Sequence, residues 1–291
     1  MKILVTGSNG QLGNEIRVLA KDYPDYEFIY TDIDELDITD LHKVDLFCVT
    51  NKPNAIINCA AYTAVDKAET DDSTAYLINS AAVENLSRAA AGIDALMVHV
   101  STDYVFDGNS WVPYTENDQT NPQSVYGNSK LAGEGAVVKY AGKGIILRTS
   151  WLYSAFGNNF VKTMIKYGTE RDELKVVFDQ VGTPTYARDL AKAILDIIPS
   201  RVMQSGVDLF HYSNEGVTSW FDFAQMIITF SGIKCVVKPI LTKDYPVSAA
   251  VRPCFSVLNK SKIKETFNLS IPYWSDSVKD CILRLKQPTK Y

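Results

Sequence analysis

Short runs that are apolar almost throughout punctuate the first half of the chain. They are Ile3-Leu4-Val5, Phe28-Ile29-Tyr30, Ala55-Ile56-Ile57, Leu96-Met97-Val98-His99-Val100 and Gly144-Ile145-Ile146-Leu147. A strand with one wet face alternates polar and apolar residues, so runs that do not alternate are buried on both faces. Between them lie stretches with apolar positions at helical spacing, near residues 11–20, 41–49, 73–91 and 126–140. This β-α-β-α order predicts an α/β fold, a parallel sheet with helices on both faces.

After about Trp151 the rhythm changes. Loops rich in Gly, Pro, Asn and Thr appear, such as Phe156-Gly157-Asn158-Asn159 and Val181-Gly182-Thr183-Pro184-Thr185. Helical stretches near 189–198 and 220–230 mix with isolated strands such as 208–211, and the charged segment 166–175 reads as a solvated helix end and turn. The expectation is a smaller α+β lobe at the C-terminal ends of the strands. With no Pro/Ser-rich linker, the two parts should share an interface.

At 291 residues, 46% hydrophobic and 22% charged, the chain has an ordinary globular balance that excludes disorder and collagen-like repeats. Its net charge of −5 carries no electrostatic footprint for nucleic acid or an anionic membrane. No apolar run approaches the ~18 residues of a membrane span. The opening apolar stretch is too short for a signal peptide. Cys48, Cys59, Cys235, Cys254 and Cys281 are odd in number and form no C-x-x-C pair, so buried reduced thiols and a cytoplasmic setting are expected. His42, His99 and His211 show no ligand spacing, and no metal site is expected.

Directly after the first strand comes Gly7-Ser8-Asn9-Gly10-Gln11-Leu12-Gly13. Glycines three apart let the backbone turn tightly, approach a pyrophosphate and pack the helix on the strand, while the helix aims free N–H groups at the phosphates. Asp32 lies just past the second strand, where an acid can accept bonds from the adenosine ribose. It can equally be a turn aspartate of the acidic stretch Asp32, Asp34, Glu35, Asp37. A carboxylate there favours NADH over a 2′-phosphorylated cofactor, and no obvious arginine stands beside the glycine turn.

The spacing G-x-x-G-x-x-G resembles the extended branch of the short-chain dehydrogenase/reductase superfamily. Three further elements agree: Asn58-Cys59-Ala60-Ala61 after the third strand, Ser101-Thr102 after the fourth, and Tyr126-Gly127-Asn128-Ser129-Lys130 on the next helix. Tyr and Lys at i, i+4 share one helix face, so phenol and ammonium can reach one pocket. The flanking segments 58–69, 101–108, 126–134, 147–153, 157–160 and 179–185, with Arg252-Pro253, resemble the dTDP-4-dehydrorhamnose reductase family from residue 1 to about 285.

That resemblance implies a Rossmann-like nucleotide domain over 1–150, with later returns at about 187–212, and a substrate lobe over 151–186 and 213–291. It implies NADPH, with some members accepting NADH, and reduction of the C4 ketone of dTDP-4-dehydro-β-L-rhamnose, the last step of dTDP-rhamnose synthesis. Cofactor contacts would come from Gly7, Asn9, Gly10, Gln11, Leu12, Gly13, Asp32, Asp37, Ile38, Ala60, Ala61, Tyr62, Tyr126 and Lys130. Catalysis would fall to Thr102, Tyr126 and Lys130. Val65, Thr102, Asp103, Tyr104 and Trp151 would face the sugar, with Asn159 and Arg252 toward the diphosphate. Arg252 can equally be a surface salt-bridge residue, and Trp151 can equally be core.

Carbonyl reduction requires a proton for the oxygen, a donor to orient it and a cation nearby. Tyr126 should supply the proton, its phenol made more acidic by the Lys130 ammonium. Thr102 should hold the carbonyl. Related dehydratases carry Asp-Glu after the threonine, whereas here Thr102 is followed by Asp103 and Tyr104, so the second carboxylate is missing. An epimerase, a reductase of another 4-keto sugar, or a non-catalytic nucleotide-binding subunit similar to the β subunit of methionine adenosyltransferase remain the alternatives. Some family members dimerise through magnesium held by glutamates. Glu15 matches the first of these, but Arg188 stands where a second acid is expected, leaving monomer or homodimer open.

Overall fold

The computed structural model describes residues 1–246 and 248–287; residue 247 and the last four residues of the 213–291 segment lie outside the described residues. Six parallel strands form the central sheet: β1 (Lys2–Thr6), β2 (Glu27–Tyr30), β3 (Ala55–Asn58), β4 (Leu96–Thr102), β5 (Lys143–Thr149) and β6 (Gly206–His211). Their spatial order is β6-β5-β4-β3-β1-β2. The order reverses between β1 and β3, which opens a crevice beyond the carboxyl ends of those two strands. The segment 208–211 is therefore not isolated: it pairs with β5 along its length.

Residues Ile3, Ile57, Val98, Ile145 and Leu147 face one layer of helices, and Leu4, Ile56, Met97 and Ile146 face the other. Both sets are buried. Each such aliphatic contributes about 1.5–3 kcal/mol on burial, which explains why these runs tolerate no polar alternation. Helix α1 (Gln11–Leu19) and a helix over Ala187–Arg201 close one side. Leu12, Ile16 and Leu19 meet Leu190, Ala191 and Ile194 there. On the other side lie α2 (Leu41–Asn51), α3 (Ala82–Gly92) and α4 (Val125–Tyr140).

β4 and the helix near 73–91 also depart from the sequence reading. β4 continues through Ser101 and Thr102 because these pair with Arg148 and Thr149 of β5. The expected single helix near 73–91 is interrupted by a π-helical turn at Leu77–Ala81, between Asp72–Tyr76 and α3. Such turns recur at functional sites.

The remaining residues build a lobe around Phe223, Ile227, Trp274 and Val278. The charged segment 166–175 is only partly a helix end. Glu173–Val177 is a strand paired in parallel with Val236–Ile240, its Leu174 and Val176 turned into the lobe. The five cysteines are all free thiols, but burial holds only for Cys48 and Cys281. Cys59 and Cys235 are half-buried and Cys254 is exposed, since each sits on an irregular segment at a surface or cavity edge. Among the described residues, no helix is long and apolar enough to cross a membrane, and no cluster of three or more His, Cys, Asp or Glu could hold a metal ion.

Candidate active site

Two cavities lie along the carboxyl ends of the strands. The first, of about 560 Å³, is lined by Gly7, Gly10, Asp32, Asp37, Ile38, Ala60 and Ala61, all expected, together with Ile33, Leu36, Thr39, Cys59, Thr74, Leu77 and Ile78. The glycine turn is shaped by contact. Gly7 has φ +60°, and a Cβ there would stand 2.6 Å from the Ala60 backbone. A Cβ on Gly13 would stand 2.5 Å from Ser8, so Gly13 packs helix on turn rather than facing the cavity. Gly10 caps α1 with no side-chain hydrogen bond, leaving the first N–H groups of the helix free for an anion.

Asp32 both shapes the turn and borders the cavity: Oδ2 accepts the Asn9 N–H at 3.0 Å and Oδ1 that of Ile33 at 2.9 Å. Asp37 accepts from the N–H and hydroxyl of Thr39, which hold its carboxyl below the usual range. A cation does stand beside the turn, contrary to the sequence reading. One helical turn after Gly13, Arg17 donates to Ser8 Oγ at 3.2 Å and lies over the Tyr30 ring at 4.5 Å. The helix geometry that brings Arg17 back over the turn was invisible in linear spacing.

Leu12 is buried in the core, and Tyr62 is absent from the lining, its hydroxyl held by Asp71. Tyr62 N–H and C=O are clamped by the amide of Asn79, from the π-helical turn. Asn79 also donates to Ser129 Oγ at 3.0 Å, which joins the Ala60-Ala61 loop to α4. Nothing in the linear sequence set Asn79 apart, since Ser80, Asn85 and Ser87 are polar residues of the same stretch.

The second cavity, of about 310 Å³, gathers Val65, Thr102, Asp103, Tyr104, Tyr126, Lys130, Trp151 and Asn159. Gln11 lines this cavity rather than the first. Tyr126 rises from the first turn of α4, which Ser124 caps by accepting the Gly127 N–H. Gly127 lets the helix lie against Tyr104, since a Cβ there would meet the Tyr104 carbonyl at 2.3 Å. Tyr104 and Tyr126 pack edge to face with ring centres 5.5 Å apart.

Lys130 is buried and donates from Nζ to the Val100 carbonyl at 2.6 Å. Desolvation lowers its ammonium to about 8, against the raising influence of Glu134 one turn along. Glu134 is locked by Arg148, with bonds of 2.9 and 2.7 Å, and by Ser101 Oγ at 2.5 Å. The expectation of an acidified phenol at Tyr126 does not hold in this geometry. Burial raises the phenol above its ordinary value, outweighing a hydrogen bond with Thr102, and the Lys130 ammonium is turned to Val100.

Trp151 belongs to the cavity and to the lobe at once. It lines the one and stacks on Trp220 with centres 3.7 Å apart. Its φ of +48° is strained for a bulky residue, and Gly182 makes room, since a Cβ there would meet the indole at 2.7 Å. Asn159 lines the cavity with its amide already engaged. Nδ2 donates to Gln11, Ser154 and Phe156, and Oδ1 caps the helix Phe160–Glu170. Arg252 is outside the lining, paired with Asp66 at 2.7 Å. Its guanidinium also acts on Tyr104. Glu15 is buried, accepting from Ser154 at 2.6 Å and lying 3.6 Å from Arg188.

One family matches along nearly the whole chain. The family model described as RmlD substrate binding domain matches residues 1–287. The chain belongs to that family. It is 41% identical over 287 residues to a dTDP-4-dehydrorhamnose reductase of Aggregatibacter actinomycetemcomitans, covering 96% of this chain and 97% of the relative. A dTDP-4-dehydrorhamnose reductase structure from Clostridium acetobutylicum superposes with a TM-score of 0.94 at 46% identity, covering 99% of this chain and 100% of that one. Another, from Bacillus anthracis in complex with NADP, gives 0.92 at 38%, covering 97% and 99%. A UDP-glucose 4-epimerase from Thermus thermophilus shares the fold at 17% identity and a TM-score of 0.76.

Proposed function

We propose that this chain reduces the C4 ketone of dTDP-4-dehydro-β-L-rhamnose to dTDP-L-rhamnose, using NADPH or NADH, as a cytoplasmic enzyme. The observation that carries the reading is the meeting of Thr102, Tyr126 and Lys130 in one cavity, beyond the sheet ends that also form the glycine cradle. Relatives about 40% identical over nearly the whole chain bear the reductase name. The nucleotide part comprises 1–150 with 187–212, and the substrate part 151–186 with 213–291. The inclusion of 187–212 in the first is supported by β6 and the helix packed on α1.

A nicotinamide cofactor, when bound, supplies hydride to the sugar carbon. Its fit rests on Gly7 and Gly13, which leave no room for side chains, and on the uncapped start of α1. Gly7, Gly10 and the α1 N–H groups would hold the pyrophosphate, Asp32 the adenosine ribose, and Lys130 the nicotinamide ribose. Arg17 is available to a 2′-phosphate, which offsets the repulsion from Asp32 and supports use of both cofactors.

Thr102 orients the ketone, and Tyr126 gives its phenolic proton to the oxygen as negative charge develops there. Burial makes Tyr126 a reluctant acid at rest, so proton transfer follows charge build-up rather than preceding it. Trp151, Val65 and Tyr104 enclose the sugar. Arg252, freed from Asp66, would meet the diphosphate with its planar fork. Incubation with dTDP-4-dehydrorhamnose and either cofactor should bleach the nicotinamide absorbance and yield dTDP-L-rhamnose. Folded, cofactor-binding protein that oxidises neither cofactor would sink the reading, and a C4-epimeric product would redirect it to another 4-keto sugar reductase.

A further inference from the structure

We propose that Asp103 is a further catalytic residue, a carboxylic acid that works in its protonated form against the sugar. The proposal rests on the reductase reading above. Asp103 borders the smaller cavity yet is only 3% exposed. Oδ1 accepts the Thr102 hydroxyl at 3.0 Å, and Oδ2 is buried with no hydrogen-bond partner. Among the described residues no ion pair reaches this carboxyl.

The groups around it are neutral or otherwise engaged. Tyr104 lies on its own turn, Tyr126 comes from α4, and Ser256 lies on the neighbouring segment. Ser256 Oγ lies close enough to draw the Asp103 carboxyl down, and it makes no hydrogen bond to any other group. Lys130 is held by Val100, and Arg252, beyond Tyr104, is held by Asp66. A carboxylate with one empty oxygen in such a place is strongly disfavoured relative to the neutral acid. In keeping with this, desolvation lifts the Asp103 carboxyl to about 7, although Thr102, Ser256 and the backbone N–H groups of Asp103 and Tyr104 pull it down.

The consequence falls on Thr102. Its hydroxyl has one proton, and it already accepts the Tyr104 N–H at 3.2 Å. With Asp103 ionised, that proton is committed to Oδ1 and cannot reach a ketone. With Asp103 protonated, the bond reverses: the carboxyl O–H donates to Thr102, and Thr102 donates to the substrate oxygen. Oδ2 then remains an acceptor for a sugar hydroxyl. The protonated state holds one proton more than the ionised one, taken up from solvent and kept on Asp103 through turnover, and Tyr126 still supplies the one that ends on the product. A neutral Asp103 also spares the developing C4 oxyanion a like charge at close range.

Two measurements test this, on the full chain. The difference infrared spectrum of wild type against Asp103→Asn, without cofactor or sugar, should contain a carboxylic-acid carbonyl band that titrates away near pH 7. Asp103→Ser serves as the reference if the Asn variant folds poorly. In turnover, wild-type kcat/KM for the sugar nucleotide should fall about tenfold per pH unit above that point. Asp103→Asn, at a lower plateau, should hold that plateau to higher pH, falling only with Lys130. A missing acid band at pH 6, or identical pH profiles for the two proteins, overturns the proposal. Lack of any turnover by wild type, with the acid band present, overturns the reductase reading and the catalytic role with it.

Discussion

Replacing Glu134 by glutamine should damage both stability and catalysis, in ways that can be told apart. The Glu134 and Arg148 side chains are 7% and 4% exposed, and their contact is bidentate. Glutamine keeps the shape and can still bond Ser101, but it leaves the Arg148 guanidinium buried without a counter-charge. Breaking one half of a buried pair costs about 3–5 kcal/mol. Equilibrium urea unfolding should read that loss. A Glu134→Gln/Arg148→Met double variant should recover most of it, because both desolvated charges are then gone. The catalytic signature is separate. Glu134 raises the Lys130 ammonium, which burial lowers to about 8 even with that carboxylate in place. Without the carboxylate that value falls, so the ammonium is lost at lower pH, and in an Asp103→Asn background, where the alkaline limb of kcat/KM follows Lys130 alone, that limb moves to the acid side. Folding linkage runs in the opposite sense: with its folded value depressed, Lys130 favours the native state above about pH 10.5 and loses that contribution as pH falls through about 8. A cost below about 1 kcal/mol, the worth of an exposed pair, together with an unmoved alkaline limb would refute the reasoning.

Three further outcomes are expected. Tyr126→Phe keeps the ring packing against Tyr104 and should remain folded with at least ~10²-fold lower turnover, read by cofactor oxidation. Arg17→Gln should lower the ratio of kcat/KM for NADPH over NADH, and Asp32→Ala should raise it. An unchanged ratio in both would remove these residues from cofactor choice. Gly7→Ala forces a Cβ into the Ala60 backbone at φ +60°, and should weaken cofactor binding by calorimetry while costing more than about 1 kcal/mol in unfolding.

Much of the scaffold was legible because strand burial and helical period leave direct marks on local sequence. Strands β1 to β5 fall where the apolar runs stand, and α1 and α4 begin within a residue or so of their expected starts. The fate of 208–211 was not legible: a strand pairs through backbone groups, which carry no address for their partner. The charged segment 166–175 misled because alternate residues of an edge strand face water, so Glu173 and Lys175 mask Leu174 and Val176.

By itself the sequence determined the order of elements and the glycine turn, and it pointed to Thr102, Tyr126 and Lys130, since each signal depends on chemistry within a few neighbouring residues. Only the tertiary structure decided what surrounds them. It brought Arg17 back to Ser8, placed Asn79 between the Ala60-Ala61 loop and α4, turned Lys130 to Val100 and left Asp103 buried with one oxygen unpartnered. The acidity of Tyr126 and Asp103 follows from the water excluded around them, and exclusion of water is a property of packing among residues distant in the chain.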